Sequence, residues 1–221
     1  MRKYKILYED ADLFVLYKPS GLAIQNARPS VPDVMSMLRN DLANHHEKNT
    51  ELYLINRLDQ PVEGIFLIAR NRYAAEELNR QFRARSGVEK RYRALVYGRP
   101  KEPEGRLVHY LKKAGGSNLS LAVPEGTKDA KRCELYYRVI QSYGDKSLLD
   151  IQLMTGRHHQ IRVQMASAGT PIVGDTKYGK QEEQFQQFSL CSCKISFVHP
   201  RTKAPLTFQV EPSFSVPPTA P

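Results

Sequence analysis

Cysteine and long apolar runs are scarce in this sequence, and each scarcity excludes a class of protein. The only cysteines are Cys133, Cys191 and Cys193, an odd number that forms no paired disulfide framework and favours a reducing compartment. No apolar run approaches the length of a membrane-spanning helix, and the charged amino terminus lacks the apolar core of a signal peptide. We therefore expect a cytoplasmic protein without a membrane partner.

Acidic residues are outnumbered, with 23 Asp and Glu against 33 Lys and Arg and a net charge of +10. Such an excess indicates a polyanionic partner, and nucleic acid is the first candidate. A basic amphipathic membrane helix is the competing explanation, but no segment joins a wide apolar face to a lysine-rich one. Because tryptophan is absent, stacking on a base would fall to tyrosine or phenylalanine.

Apolar runs separated by turn signals predict a largely antiparallel meander in the middle of the chain. Its strands are expected at Gly105–Lys113, Leu119–Val123, Arg132–Ser142 and Ser147–Met154. A hairpin of Lys3–Glu9 and Leu13–Lys18 opens the chain, helices are expected at Pro32–Asn44 and Tyr73–Arg85, and further strands at Phe188–Val198 and Pro205–Val210. We expect one domain over residues 1–212 and a disordered Pro-rich tail over 213–221.

A single acidic residue stands out in the stretch Leu54–Arg70. Asp59 precedes a Gln60-Pro61 turn, and the apolar run Ile65–Ala69 behind it predicts a buried strand. A turn braced by a rigid strand is a common position for catalytic groups. Asp59 would also serve as an ordinary turn residue, and spacing alone does not separate the two functions.

A basic run follows this strand. The second predicted helix carries Arg80 and Arg83, and the run continues to Lys90 at the start of a strand that bears Tyr92. Few acids balance these charges, which favours nucleic-acid binding over a merely solvated face. Tyr92 taken alone is equally compatible with core packing.

The sequence Thr155-Gly156-Arg157 leads into a third helix that Gly169 closes. An apolar stripe on this helix is formed by Ile161, Met165 and Ala168. Arg162 lies beside the stripe, so its side chain either reaches inward or remains on the surface.

Motifs for several other chemistries are missing. Cys191 and Cys193 have no second pair, His158 and His159 have no nucleophile partner in a recognisable motif, and no Gly-rich phosphate loop occurs. We expect no metal. A carboxylate held near a guanidinium would act as nucleophile or electrostatic stabiliser. A glycoside hydrolase is a weaker hypothesis because no second carboxylate is evidently paired with Asp59.

Motifs spread over almost the whole chain resemble those of the RluA-type RNA pseudouridine synthases, and they follow the family's order. They are YKPSGLAIQ, NRLDQPVEGIFLIAR, EKRYRALVYG, TGRHHQIRVQMASAGTPIVGDTKYG and FVHPRTKAPLTF. The resemblance implies an α+β fold with a mixed, mostly antiparallel sheet flanked by helices and a central basic cleft. It also implies conversion of uridine to pseudouridine in structured RNA without cofactor or metal.

The resemblance implies a role for each of four residues. Asp59 would be the catalytic aspartate, and Tyr92 would pack against the target base and help to remove its C5 proton. Arg162 would pair with Asp59 and hold its carboxylate. Arg57 would enter the RNA and fill the gap left by the flipped uridine.

The expected partner is a stem-loop of rRNA or tRNA, bound by a monomer. RNA contacts are expected from Arg57, Arg80, Arg83, Lys90, Arg157, His158 and Gln160. A catalytically silent RNA-binding or chaperone protein on the same fold is the alternative.

The sequence departs from the family pattern at three places. Asn56 and Gln164 stand where histidines are usual, and Leu190-Cys191-Ser192 replaces a common Leu-His-Ala. The chain also resembles the short family members that lack an N-terminal RNA-binding domain. These departures bear on subfamily and substrate, since none involves Asp59, Tyr92 or Arg162.

Overall fold

The computed structural model describes residues 3–26, 31–45, 51–84, 87–179 and 187–216. The chain divides into two compact units, Met1–Glu89 with Ser192–Glu211 and Lys90–Cys191 with Pro212–Pro221. The expected domain boundary at residue 212 stays a prediction, and residues 217–221 of the expected tail lie outside the described residues. Among the helices in the described ranges, none is long and apolar enough to cross a membrane.

In chain order the elements are β1 (Lys5–Glu9), β2 (Leu13–Lys18), α1 (Val34–Asn44), β3 (Tyr53–Leu54), β4 (Glu63–Ala69), α2 (Arg72–Ala84), β5 (Glu89–Tyr97), β6 (Glu104–Lys113), β7 (Ser120–Val123), β8 (Lys131–Tyr143), β9 (Lys146–Leu153), α3 (Gln160–Ser167), β10 (Leu190–Val198) and β11 (Pro205–Gln209). Helices and a mostly antiparallel sheet confirm the predicted α+β class.

The first unit orders its strands β1–β2–β4–β10, with β3 beside β4 and β11 beside β10. Every residue of β4 is buried, as its unbroken apolar run predicts. Helix α2 packs its alanines and Leu78 on this sheet, in a core that includes Leu13, Val15, Ile65, Leu67 and Phe197. The prediction of a buried strand behind Asp59 is therefore confirmed.

Helix α1 differs from its prediction at its start. Asp33 is the N-cap and accepts a hydrogen bond from Ser36 N–H at 2.7 Å, so Pro32 lies outside the first turn. The end of α2 was expected at Arg85, which lies outside the described residues. Strand β3 was not predicted, because two residues are too few to show a strand pattern in the sequence.

The second unit orders its strands β5–β9–β8–β6–β7, all antiparallel, which confirms the predicted antiparallel pairing. The predicted meander is wrong at one place, because β8 pairs with β6 rather than with β7, the strand that precedes it in the chain. Gly169 ends α3 as predicted, with φ of +79°. The N–H groups of Gly169 and Thr170 donate to the carbonyls of Ala166 and Met165 at 3.0 Å, which satisfies two terminal carbonyls.

The apolar stripe predicted for α3 is an incomplete description. Its polar residues Gln160, Arg162 and Gln164 are buried together with Ile161, Val163 and Met165. A helix can bury polar side chains when each finds a partner inside the protein, and here each does.

Gly64 marks a close approach of two backbones in the first unit. Its φ is +119°, and a Cβ atom at this position would lie 2.6 Å from the backbone nitrogen of Ser192 on β10. Both features favour glycine, because a side chain would strain the local backbone and push two buried strands apart.

We expect Gly64→Ala to lower the free energy of unfolding by about 3 kcal/mol, since it adds a steric clash to the backbone strain. Gly126→Ala is the matched control, because Gly126 also has positive φ but a Cβ added there would meet no atom within 4 Å. Urea unfolding should give the control a loss of only about 1 kcal/mol. Equal losses in the two variants would contradict the clash.

Candidate active site

Asp59 lies half-buried in the turn between β3 and β4. The turn is closed by a hydrogen bond from Val62 N–H to the Asp59 carbonyl at 3.0 Å, with Gln60 and Pro61 at its centre. Before the turn, the Asn56 side chain accepts a hydrogen bond from Leu67 N–H at 2.8 Å. The chain on both sides of Asp59 is thus attached to β4.

A second loop, Lys18–Gly21, docks onto this turn. Gly21 N–H donates to the Gln60 carbonyl, and the Gln60 side-chain amide donates back to the Gly21 carbonyl, both at 3.0 Å. The Ser20 hydroxyl donates to the Pro61 carbonyl at 2.7 Å. These bonds attach the turn to the end of β2 as well as to β4, which restricts the Asp59 backbone.

Lys18 is the centre of this arrangement and is fully buried. Its ammonium group donates to the carbonyls of Gln60 at 3.0 Å and Pro19 at 3.3 Å, and also to that of Val62. Burial lowers the pKa of Lys18 to about 8, while the negative charges of Asp59 and Glu63 oppose that decrease.

Glu63 brings a second acid to the same turn. It is buried, and its carboxylate accepts a hydrogen bond from the Tyr17 hydroxyl at 2.8 Å. Neither Lys18 nor Glu63 was predicted as a site residue. The Lys-Pro-Ser-Gly turn was the sequence signal available for Lys18. No motif marks Glu63, which is the first residue of β4.

Tyr92 lies on β5 in the second unit and is only 7% exposed. Its strand position pairs with Ile151 of β9, whereas Arg91 and Arg93 point to the other face of the sheet. The Tyr92 side chain therefore lies on a packed face of the sheet, in agreement with the core-packing interpretation. A packed position is also compatible with a role beside a substrate.

Arg162 is buried in α3 and forms a bidentate pair with Asp175. Its Nε and Nη2 atoms donate to the two Asp175 oxygens at 2.8 and 2.7 Å. The guanidinium also lies 5.1 Å from the Tyr178 ring centre and 5.2 Å from that of Phe188. Of the two possibilities left open by the sequence, the inward orientation is confirmed.

Asp175 was not predicted as a site residue, although it lies in the Gly-Asp-Thr-Lys-Tyr-Gly motif. Besides Arg162, its Oδ1 accepts the backbone N–H groups of Lys177 at 2.9 Å and Tyr178 at 3.2 Å. A carboxylate fixed by backbone donors holds its guanidinium partner in a defined plane. Asp175 thus orients Arg162.

Gln160 is buried, and its amide group is used inside the protein. The oxygen accepts from Thr155 Oγ1 at 2.6 Å and Arg157 N–H at 3.0 Å, and the nitrogen donates to the Glu134 carbonyl and to Gln164, both at 3.0 Å. The predicted RNA contact by Gln160 is not supported, because the amide has no exposed donor or acceptor. It anchors the start of α3.

His158 was also expected to contact RNA, and it is half-buried with both ring nitrogens occupied. Nδ1 is 2.9 Å from Ser120 Oγ and Nε2 is 2.8 Å from Asn118 Oδ1. Its ring stacks on that of His159 at 3.8 Å. These contacts attach the start of α3 to the turn between β6 and β7.

The remaining predicted RNA contacts differ in exposure. Arg57 and Arg83 are exposed, and Arg80 is exposed but paired with Glu77 at 2.8 Å. In the second unit Lys90 is half-buried.

Arg157 is exposed and donates to the Arg132 carbonyl at 3.3 Å. Exposure makes the arginines of this set available to a polyanion. Contact with RNA stays a prediction for Arg57, Arg80, Arg83, Lys90 and Arg157.

One cluster has the composition of a metal site. Ligand atoms of Asp10, Asp12 and His199 lie within 4.8 Å of one another. However, His199 hydrogen-bonds Asp10 at 2.7 Å, and Arg201 binds both oxygens of Asp12 at 2.7 and 2.6 Å. The carboxylates already bind these side chains, so the donor set favours a structural cluster over a cation site.

Comparison with known proteins gives these motifs a family. The model of the RNA pseudouridylate synthase family matches residues 12–167. The uncharacterized RNA pseudouridine synthase YjbO of Bacillus subtilis is 30% identical over 212 residues, which cover 92% of this chain and 74% of that protein. Ribosomal large subunit pseudouridine synthase C of Buchnera aphidicola is 31% identical over 216 residues, covering 91% of this chain and 67% of that protein.

The fold agrees with this relationship. The human RNA pseudouridylate synthase domain containing 4 superposes with a TM-score of 0.76 at 22% identity, covering 94% of this chain and 88% of that one. The family match spans the Asp59 turn, β5 and all of α3, and it ends before Asp175 and Tyr178. The chain belongs to the RNA pseudouridylate synthase family and is an RluA-type isomerase that acts on RNA.

Proposed function

We propose that Asp59 is the catalytic carboxylate of this pseudouridine synthase, and that Tyr92 and Arg162 complete the site. The observation that supports this most is the anchoring of the Asp59 turn by the buried ammonium group of Lys18, which binds three carbonyls around it. A catalytic group must be held in place by its surroundings, and no simple turn needs a buried charge for that purpose.

The reaction breaks the bond between uracil N1 and ribose C1′, turns the base, and joins C5 to C1′. C5 loses a proton and N1 gains one, so the atoms balance without a cofactor. The Asp59 carboxylate would attack C1′, attack C6, or assist loss of the base to form a glycal. The target base must first be extruded from its stack, at about a few kcal/mol.

Tyr92 and Arg162 serve this reaction in different ways. A packed tyrosine provides a flat wall for an extruded uracil, with Arg57 filling the vacated position in the RNA. Arg162 uses only some of its N–H groups on Asp175, and a guanidinium can bind a second carboxylate with the others. Its pairing with Asp59 is part of the proposal.

The proposed target is a stem-loop in rRNA or tRNA. Large-subunit rRNA is the first candidate because a relative is named for it. The net charge of +10 suits a phosphate backbone. The predicted basic cleft, monomeric state and cytoplasmic location belong to the same proposal.

The first test maps pseudouridine in total RNA from cells with and without the gene, by carbodiimide labelling and reverse-transcription stops. A stop should vanish in the deletion strain and return with wild type but not with Asp59→Asn, which keeps the shape and removes the charge. Asp129→Asn is the control, because Asp129 is an exposed turn residue with φ of 65° that asparagine also adopts.

Restoration of the stop by Asp59→Asn would refute the catalytic assignment. If Asp59→Asn restored the cellular role while cleft Lys and Arg substitutions abolished it, the catalytically silent RNA-binding alternative would replace the proposal.

Lys18 predicts opposite pH dependences of stability and activity. Its pKa is about 8 in the folded protein against 10.5 for the free side chain, so between these values the unfolded chain binds more protons. Stability relative to Lys18→Met should therefore rise by about 3 kcal/mol through this range. Activity should fall above pH 8, because a neutral amine has too few N–H groups for three carbonyls and no charge beside Asp59.

Urea unfolding and initial rates on RNA from the deletion strain measure the two effects. A stability difference between wild type and Lys18→Met that stays constant with pH would show that Lys18 does not titrate in this range. A constant rate would show that its charge is not needed.

Asp175→Asn should lower the unfolding free energy by about 3 kcal/mol, because it removes the negative partner of a buried bidentate ion pair. The rate at saturating RNA should fall as well, with KM little changed. Asp12→Asn is the matched control, since Asp12 also forms a bidentate pair, but with an exposed arginine. A similar fall in rate for both variants would show that Asp175 acts only through overall stability.

A further inference from the structure

One face of the second unit's sheet is rich in arginine and takes no part in the proposed site. Strand alternation and register place Arg91, Gln152, Tyr136 and Arg106 side by side across β5, β9, β8 and β6. The next row consists of Arg93, Asp150, Arg138 and Glu104. We call these two rows, with Glu134 and Arg132, the arginine face. Tyr92 points to the other side of the same sheet.

Two of the three acids of this face, Asp150 and Glu134, are each bound by two arginines, and the third, Glu104, is the cross-strand neighbour of Arg138. Asp150 lies 2.5 Å from Arg91 and 3.4 Å from Arg93. Arginines therefore outnumber carboxylates, and each such cluster carries a net positive charge. A cluster of this kind holds its guanidinium groups in place and still attracts a phosphate.

Glu134 has the same arrangement, at 2.7 Å from Arg106 and 2.8 Å from Arg132. Hydrogen bonds from Arg106 and Arg132 lower the pKa of Glu134 to about 2, so the cluster remains fully ionised at neutral pH.

Arg138 adds a cation that the protein does not neutralise. It is exposed, and in the described ranges of the chain it has no ion-pair partner. It lies beside a surface cavity of about 450 Å³, within the size range of ligand sites. The cavity is lined by Arg91, Arg106, Arg138, Tyr136, Asp150 and Gln152.

Tyr136 provides an aromatic surface in the same cavity. Its residue is 40% exposed, and the Arg106 guanidinium lies 5.9 Å from its ring centre. An exposed tyrosine in the middle of a sheet, surrounded by arginines, is the arrangement on which unpaired bases stack while their phosphates bind cations.

We propose that the arginine face binds a single-stranded segment of the RNA substrate, with a base on Tyr136 and phosphates at Arg138 and Arg106. This proposal rests on the proposed function. Charge complementarity favours a polyanion, and the exposed ring favours unpaired RNA over a duplex, whose bases are already stacked. The carboxylates on this face keep the affinity modest, which suits a site that guides a substrate and releases a product.

The test measures binding of a fluorescein-labelled oligouridylate of about ten nucleotides by anisotropy. Tyr136→Leu should weaken binding about tenfold, and Tyr136→Phe should bind as wild type because it keeps the ring. Arg138→Gln should weaken binding and reduce the slope of log affinity against log salt by about 0.7. Arg99→Gln, an exposed arginine in the same unit but outside the cavity, is the matched control.

Thermal unfolding of each variant verifies folding. Wild-type binding by both Tyr136→Leu and Arg138→Gln would overturn the proposal, as would equal losses in Arg138→Gln and Arg99→Gln. The outcome is separable from that for the catalytic site, because Asp59→Asn should still bind the oligouridylate. If Asp59→Asn formed pseudouridine, the proposed function would be refuted. A loss of oligouridylate binding in Tyr136→Leu and Arg138→Gln would still support RNA binding by the arginine face.

Discussion

The buried ammonium group of Lys18 is the interaction on which the geometry around Asp59 depends. Removing a charge from water is costly, and here the cost is offset by three carbonyl oxygens and by the acids Asp59 and Glu63. An apolar side chain would fill the same space more cheaply but would leave those carbonyls unsatisfied. The charge therefore serves the position of the turn rather than stability alone, and its burial is the reason that the pKa of Lys18 is lowered.

In the second unit, the buried charge of Arg162 is likewise held by protein partners. Its charge is held by Asp175, and Asp175 is in turn held by backbone N–H groups of its own loop. The loop continues to Tyr178, whose hydroxyl accepts from Ser120 N–H at 2.8 Å and lies 2.7 Å from His159 Nδ1. A helix, a loop and a hairpin are thereby connected through hydrogen bonds between side chains. Such a network positions a guanidinium more precisely in space than helix packing alone.

Local patterns were sufficient for most of the fold and insufficient for part of the site. An apolar run and turn residues predicted β2 at its observed bounds, and Gly169 was predicted as the end of α3. The local patterns failed where a contact joins distant parts of the chain. Lys18 meets the Asp59 turn across about 40 residues, and Gln160 is buried because the Glu134 carbonyl lies beside it. A single sequence carries no signal for such pairings, so Gln160 was expected to contact RNA and the orientation of Arg162 was left open.

The departures from the family pattern also follow from packing. Asn56 accepts the Leu67 N–H group, and Gln164 donates to the Leu107 carbonyl at 3.0 Å. Ser192 lies against Gly64 and donates its hydroxyl to the Ile65 carbonyl at 3.1 Å. Asn56, Gln164 and Ser192 are thus engaged with backbone groups of their own units. Because β5 turns Tyr92 to one face and Arg91 and Arg93 to the other, the two proposals assign catalysis and RNA binding to alternate residues of one strand.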